Sequence, residues 1–354
     1  MHLLHVVGAR PNFMKAAPVH RALSTHKGVR QTLLHTGQHY DVNMSDIFFQ
    51  ELRMPAPDIN LGVGSGSQTQ QTAAIMLGFE GALATAKPDV VVVYGDVNST
   101  VASAMVCAKS GVSVAHVEAG LRSFDRTMPE ETNRLLTDQL SEYLFTPSPD
   151  GNRNLEREGI AKNKVHLVGN VMIDTLVHML PNVPKREAMK LPENYVLVTL
   201  HRPANVDDMD WLPKMLKMLS DFSHKMPVIF PVHPRTRKKI AELSGLKLPE
   251  TVKLLDPAPY MEFLALQKNA TVVVTDSGGV QEETTYLGVP CLTVRDNTER
   301  PITIEEGTNI LVGRDISRVE SEMNKVVAGG KKTHKVPHLW DGHAAERIAA
   351  ILTA

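Results

Sequence analysis

Thr275-Asp276-Ser277-Gly278-Gly279-Val280-Gln281-Glu282-Glu283 is the stretch from which the fold can be read. A β-branched run, Thr271 to Val274, precedes it, and Thr284-Thr285-Tyr286-Leu287-Gly288 follows as a helix closed by glycine. A strand, a Ser-Gly-Gly turn and a helix N-terminus leave backbone N–H groups facing whatever anion lies beyond. Gly278 and Gly279 carry no Cβ, so that anion can approach the main chain closely. Glu282 and Glu283 are expected in the first helical turn. Their charge suits the dipole there but repels a phosphate, unless one carboxylate faces a sugar diol. A diphosphate beside a ribose hydroxyl pair is the natural ligand, against a plain glycine turn with dipole-complementing acids.

Outward from this turn the same strand-then-helix rhythm recurs. In the first half Leu3–Val7, Gln31–Thr36, Val90–Tyr94, Ser113–Val117 and Tyr143–Thr146 read as strands, with helices near Asn12–Thr25 and Ser99–Lys109. The second half repeats it with Val165–Val168, Val196–Leu200, Val228–Val232, Val252–Leu255, Thr271–Thr275 and Cys291–Val294. Short β-branched runs separated by helices predict parallel strands covered on both faces. At 354 residues the chain exceeds what one core usually supports. The expectation is α/β, two doubly wound Rossmann-like domains: 1–168, rejoined by a terminal amphipathic helix within 340–354, and 169–339. Ligands of open α/β sheets bind at the carboxyl ends of the strands, so an interdomain cleft is the expected site.

A net charge of −1, with 22% charged and 42% hydrophobic residues, gives no field that would select nucleic acid or a membrane surface. The basic clusters Arg235–Lys239 and Lys331-Lys332 read as solvated faces. Cys107 and Cys291 fit buried thiols in a reducing compartment rather than a disulfide. Met1–Gly8 has no basic n-region, and no apolar run reaches membrane-spanning length, so a cytoplasmic protein is expected. No HExxH or CxxC pattern is present, and no metal is expected.

The strand ends are unusually polar. Gly8-Ala9-Arg10-Pro11-Asn12 ends the first, with Lys15 a turn further on; two cations at a helix N-terminus oppose the dipole unless an anion is bound. Gly95-Asp96 ends one strand, Glu118-Ala119-Gly120-Leu121-Arg122 the next, and Pro129-Glu130-Glu131 follows a short loop. Separately these read as an N-cap (Asp96), an ion pair (Glu118 with Arg122) and first-turn acids. Together they place three carboxylates in one crevice, where crowding separates acid from base and proton chemistry becomes the preferred reading. His201-Arg202 and His233 end strands of the second half and read equally as anion ligands or structural hydrogen-bonders. Arg295, Thr298, Glu299 and Arg300 follow the last strand and can close over a nucleotide.

In order, Gly8-Ala9-Arg10-Pro11 with Lys15, Gly95-Asp96, His116 to Arg122, Pro129-Glu130-Glu131 with Asn133-Arg134, His201-Arg202, and Asp276 to Glu283 with Thr298 to Pro301 resemble the non-hydrolysing UDP-N-acetylglucosamine 2-epimerases. The resemblance runs from Gly8 to about Gly313, and the ordered set is far more specific than any one block. It implies a GT-B architecture, a homodimer, and interconversion of UDP-N-acetylglucosamine and UDP-N-acetylmannosamine with no cofactor. It places Asp96, Glu118, Glu130 and His201 at the reacting sugar. Arg10, Lys15, Arg122, His233, Ser277, Gly278, Gly279, Glu283 and Arg300 fall to the substrate, with Glu283 on the ribose diol. Gln38, His39, Glu131 and Arg202 mark an activator site for a second UDP-N-acetylglucosamine.

The carbon to be inverted bears an acetamido group and has no adjacent carbonyl, so direct deprotonation is a poor route. Elimination of UDP to a 2-acetamidoglucal and re-addition avoids that difficulty. The sequence departs from the best-known bacterial pattern in a shorter loop between Glu118 and Glu130 and in Pro203-Ala204-Asn205 after Arg202. These departures touch the activator and the sugar substituents more than the reaction type. The alternatives are the same chemistry on a UDP-diacetamido-uronic acid, a hydrolysing epimerase, or a GT-B glycosyltransferase.

Overall fold

A computed structural model describes residues 1–38, 51–243, 247–330 and 332–354, with the side chains of Arg10 and Arg235 left aside. The chain forms two compact units, Met1–His178 with His338–Ala354, and Met179–Pro337. The sequence reading puts these crossings at 168/169 and 339/340.

The first unit holds a seven-stranded sheet in the order β3-β2-β1-β4-β5-β6-β7. Its strands are β1 His2–Val7, β2 Arg30–His35, β3 Ile59–Asn60, β4 Val90–Tyr94, β5 Ser113–Val117, β6 Tyr143–Thr146 and β7 Val165–Leu167. Every pairing is parallel. β4 is buried along its whole length, as a strand covered by helices on both faces must be. Leu4, Val6, Val91 and Val93 pack with Phe79, Leu83 and Val106 on one such face. The run Val165–Val168 does not open the second set of strands. It pairs with β6, Leu144 opposite Val165, and closes the edge of the first sheet.

The second unit holds six parallel strands in the order β10-β9-β8-β11-β12-β13. They are β8 Val196–Thr199, β9 Val228–Pro231, β10 Val252–Leu255, β11 Val272–Thr275, β12 Cys291–Thr293 and β13 Asn309–Leu311. Leu212, Met215, Leu216, Leu219 and Phe222, on one helical stripe, cover one face with Val319 and Met323. β3 and β13 are too short for periodicity to show in the sequence.

The chain returns to the first unit at its end. The Ala344–Leu352 helix has no capping side chain of its own, and Asp174 supplies one from elsewhere in the sequence: it accepts from Ala344 N at 3.1 Å and Ala345 N at 2.6 Å. Trp340 Nε1 donates to Pro147 O at 2.9 Å. No helix among the described residues is long and apolar enough to cross a membrane.

His5, inside β1, is wholly buried between Tyr94 and Gln31, 2.6 Å from Tyr94 Oη and 2.9 Å from Gln31 Oε1. Burial, with His20 nearby, pushes its pKa down to about 3. The unfolded chain then binds a proton, near pH 6.5, that the folded chain refuses. Stability is therefore full above that pH and falls as pH drops from about 6.5 toward 3, at up to about 1.4 kcal/mol per pH unit. Urea unfolding of the wild type and His5→Asn at pH 7.5, 6 and 5 should show a shallower acid loss in the variant. Parallel pH profiles would contradict this account of His5.

Candidate active site

In the first unit the ends of β1 and β4 are tied together before any charged group is considered. Asn12 accepts from Gly8 N at 3.0 Å and Ala9 N at 3.2 Å and donates to Tyr94 O at 2.7 Å. Lys15, a turn further along the Arg10–Leu23 helix, is buried and pairs with Glu118. Glu118 holds a left-handed backbone at φ +75°, a conformation that costs a non-glycine residue on the order of 1–3 kcal/mol. Glu118 N and Ala119 N both donate to Phe145 O, at 3.1 and 3.0 Å, and hold it there. Gly95 makes room for the pair: a Cβ on it would lie 2.7 Å from Lys15 Nζ and 3.1 Å from Glu118 Oε2.

Asp96 pairs with Arg134 and does not cap the following helix, whose N-cap is Val97. Arg134 also holds Glu131, NH2 to Oε2 at 2.7 Å. Glu131 accepts further from Ser123 N, Ser123 Oγ and Phe124 N at 3.0, 2.9 and 2.9 Å. Burial opposes its ionisation, but the Ser123 N–H and the Arg134 guanidinium outweigh it and hold the carboxyl below its usual range. Glu131 thus shapes the Ser123–Met128 loop from inside. Phe124, on that loop, is 72% exposed at φ +59°. Glu130, in the first turn of the Pro129–Leu140 helix, is half-buried and meets no hydrogen-bond or ionic partner among the described residues. Of the three acids expected to crowd together, Asp96 and Glu118 each meet a cation, as does neighbouring Glu131, while Glu130 does not among the described residues.

Three expectations change. Glu118 pairs with Lys15, not Arg122, because β5 delivers its carboxylate to the first helix. Arg122 turns inward, bidentate on Glu158 at 2.8 and 2.6 Å and 2.7 Å from Asp138, with no face left for a substrate. Gln38 is also internal, accepting from Ser99 N at 3.1 Å and Ser99 Oγ at 2.7 Å. His39 and the side chain of Arg10 lie outside the described residues.

In the second unit Asp276 ends β11 in full burial. It accepts from Arg202 N at 2.9 Å and Asn205 Nδ2 at 3.0 Å, and meets His201 Nδ1 at 2.9 Å. Burial would raise its carboxyl, but His201 leads the interactions that hold it below its usual range. The His201 side chain is 55% exposed, so Asp276 fixes its orientation and leaves Nε2 for a ligand.

Ser277 stands at the N-cap position of the Gly278–Leu287 helix without a side-chain capping bond, and Ser277 to Gly279 are half-exposed. A Cβ on Gly278 would lie 2.5 Å from Arg300 NH1, so the bare glycine admits that guanidinium over the turn. Arg300 pairs with Glu282 at 2.9 Å and Glu299 at 3.3 Å, while Arg295 and Arg202 meet Glu299 at 2.7 and 3.7 Å. Three guanidinium groups thus stand with Glu282, Glu299 and Asp276 beside a helix N-terminus, whose backbone N–H groups favour an anion.

Glu282 and Glu283 do not stand in the first turn, because the helix begins at Gly278 and both fall in the second. Glu283 is buried, accepting from Tyr260 Oη at 2.8 Å and Gln267 Nε2 at 2.6 Å, and burial pushes its carboxyl up despite both bonds. His233 is exposed where β9 meets the Pro234–Glu242 helix. Among the described residues no three His, Cys, Asp or Glu side chains form a group that could hold a metal ion.

Sequence reasoning assigned no role to Arg134, His116, Asp138 or Asp276. Arg134 was within reach of it, one helical turn after Glu130 and Glu131, where opposite charges meet. Asp138 and Asp276 find their partners only through tertiary packing.

Two doubly wound parallel sheets, with paired charges at the strand ends of one and an anion-receptive turn in the other, define a protein of the GT-B class with Rossmann-like units. The chain belongs to the UDP-N-acetylglucosamine 2-epimerase family, whose model matches residues 21–353. It is 44% identical to the UDP-N-acetylglucosamine 2-epimerase of Methanocaldococcus jannaschii, over 100% of this chain and 99% of that one. It is 40% identical to the UDP-2,3-diacetamido-2,3-dideoxy-D-glucuronate 2-epimerase of Pseudomonas aeruginosa, over 99% of both. A crystal structure of Methanocaldococcus jannaschii UDP-GlcNAc 2-epimerase in complex with UDP-GlcNAc and UDP superposes with a TM-score of 0.91, covering 100% of this chain and 99% of that one.

Arg134→Met removes the partner of Asp96 and of buried Glu131 together. The unfolding free energy should fall by about 3–5 kcal/mol in urea titrations, as when one member of a buried pair is deleted. A loss under about 1 kcal/mol would show the pairing to be dispensable.

Proposed function

We propose that this protein interconverts UDP-N-acetylglucosamine and UDP-N-acetylmannosamine by eliminating UDP to a 2-acetamidoglucal and adding it back. The observation that carries this reading is Glu118: a strained, buried carboxylate at a parallel strand's end, charge-paired with Lys15. A family member has a reason to keep so costly an arrangement if the carboxylate handles a proton.

In this reading Asp96, Glu118 and Glu130 share the proton work on the two faces of the ring. Loss of UDP develops negative charge on the diphosphate, and Arg10, Lys15, Arg300, His233 and the Ser277–Gly279 turn stabilise it electrostatically. His201, oriented by Asp276, presents Nε2 to the diphosphate or the sugar. Glu283 takes the ribose diol once its internal hydrogen bonds are exchanged for those of the ligand.

The reaction needs no redox cofactor, since eliminating UDP and adding it back leaves the oxidation state of the sugar unchanged. A second UDP-N-acetylglucosamine acts as activator; the presence of both UDP-GlcNAc and UDP in the Methanocaldococcus jannaschii crystal supports this. Two buried, unbridged thiols, Cys107 and Cys291, support a cytoplasmic setting. A second substrate reading, the UDP-diacetamido-uronic acid, is favoured by the 40% identity to the Pseudomonas aeruginosa enzyme.

Incubation in D₂O tests the reaction. Deuterium should enter the carbon beside the anomeric centre as UDP-N-acetylmannosamine appears, and Glu118→Gln should lower kcat by about 10²–10⁴-fold. Unlabelled product, or full turnover in the variant, would remove the assignment. Offering the diacetamido uronate alongside ranks the substrates by kcat/KM, and release of free N-acetylmannosamine would mark a hydrolase.

A homodimer belongs to the same proposal. The Gln68–Ala86 helix shows solvent a smooth face of Ala73, Ala74, Leu77, Gly81 and Ala84, with Leu77 74% exposed. Leu77→Glu should convert a dimer to a monomer in sedimentation velocity at micromolar concentration. An unchanged dimer would assign the contact elsewhere.

A further inference from the structure

We propose that Asp138 and His116 are positioning residues that set where the acidic side chains of the first unit stand; this rests on the proton-transfer reading above. Neither is at the surface. Asp138 lies in the last turn of the Pro129–Leu140 helix and His116 in β5, and both are fully buried. His116 Nδ1 meets Asp138 Oδ1 at 2.6 Å, and Nε2 meets Gly95 O at 2.8 Å. A carbonyl only accepts, so Nε2 is the donor there. The other carboxylate oxygen, Oδ2, accepts from Gly120 N at 3.1 Å and lies 2.7 Å from Arg122 NH2.

One buried carboxylate therefore grips every segment that carries a proposed acid or base. Through His116 it holds Gly95, the residue before Asp96. Through Gly120 N it holds the turn two residues after Glu118, where φ is +75°. Its own helix carries Glu130 in the first turn. A left-handed non-glycine backbone persists only where its surroundings over-determine it, and the Gly120–Asp138 bond adds to the two bonds on Phe145 O. Burying an ionisable pair carries a desolvation penalty, and a framework hydrogen bond could be made with neutral groups. What the pair adds is a fixed position for Gly95 and Gly120, and misplacing a reacting group by about 1 Å can cost about 10²-fold in rate.

The test separates two nitrogens. In His116→Asn the amide replaces Nδ1, keeping a partner for Asp138 and releasing Gly95 O. In His116→Gln it reaches the Nε2 position and keeps the bond to Gly95. His116→Asn should lose about 10–100-fold in kcat and in deuterium incorporation, with KM for UDP-N-acetylglucosamine within about twofold of wild type. His116→Gln should recover most of that loss.

Equal losses in the two variants, a loss confined to KM, or no loss in His116→Asn would overturn the proposal. Asp138→Asn, which keeps the shape of the carboxylate, guards against a His116 variant that does not fold. It should lower kcat about tenfold or more at constant KM, and wild-type kcat in it would be equally fatal. If all three variants fail to fold, the pair is framework and the proposal falls. Wild-type enzyme that incorporates no deuterium would defeat the underlying proton-transfer reading, a result distinct from normal labelling in wild type and His116→Asn alike.

Discussion

A carboxylate at the buried end of a parallel strand is tolerable only when a cation meets it, and the Lys15–Glu118 pair is where that requirement organises the first unit. β1 and β4 lie side by side, with β5 next to β4, so the first helix and the end of β5 open on the same edge of the sheet. Lys15 can reach Glu118 only because Gly95, between them, has no side chain. The strain at Glu118, the bare turn at Gly95 and the bonds on Phe145 O are consequences of bringing that pair together. Arg134 does the same for Asp96 and Glu131 one helix later.

The second unit follows the same logic with the signs exchanged. Its strand ends gather guanidinium groups, and the buried acids among them, Glu282 and Glu299, fix where the cations point. Burial opposes ionisation of Glu299, yet Arg295, Arg300 and Arg202 hold it far below the ordinary carboxylate range, so it remains an anchor. Asp276 serves His201 in the same way. The polar interior of each unit is thus a set of fixed charges aimed at the strand ends, the preorganisation that charge-separating chemistry requires.

Much of this is legible in the sequence. The alternation of β-branched runs with helices gives two parallel sheets, because strands buried on both faces cannot afford polar alternation. The ordered blocks from Gly8 to Pro301 name the family, because such a series of strand-end residues is far rarer than any one motif. Asp96, Glu118 and His201 stand out since polar residues of this kind seldom follow such apolar strands without a purpose, and Glu130 through the acidic pair that opens the next helix. The strand at Val165–Val168 was harder: its sequence fits either sheet, and only the pairing with β6 decides. Arg122 and Gln38 looked like surface ligands because nothing local shows that Glu158 and Ser99 are waiting for them.

The division has a physical basis. Local propensity, hydrophobic period and turn chemistry act within a few residues, so the sequence by itself determined the strands, the helices, the Ser-Gly-Gly turn and the candidate acids. Ion pairing and hydrogen bonding act through space, between positions as distant in the chain as Lys15 and Glu118, His116 and Asp138, or His201 and Asp276. Which acids meet a cation at the strand ends, and which are taken up inside, was therefore decided by tertiary structure alone.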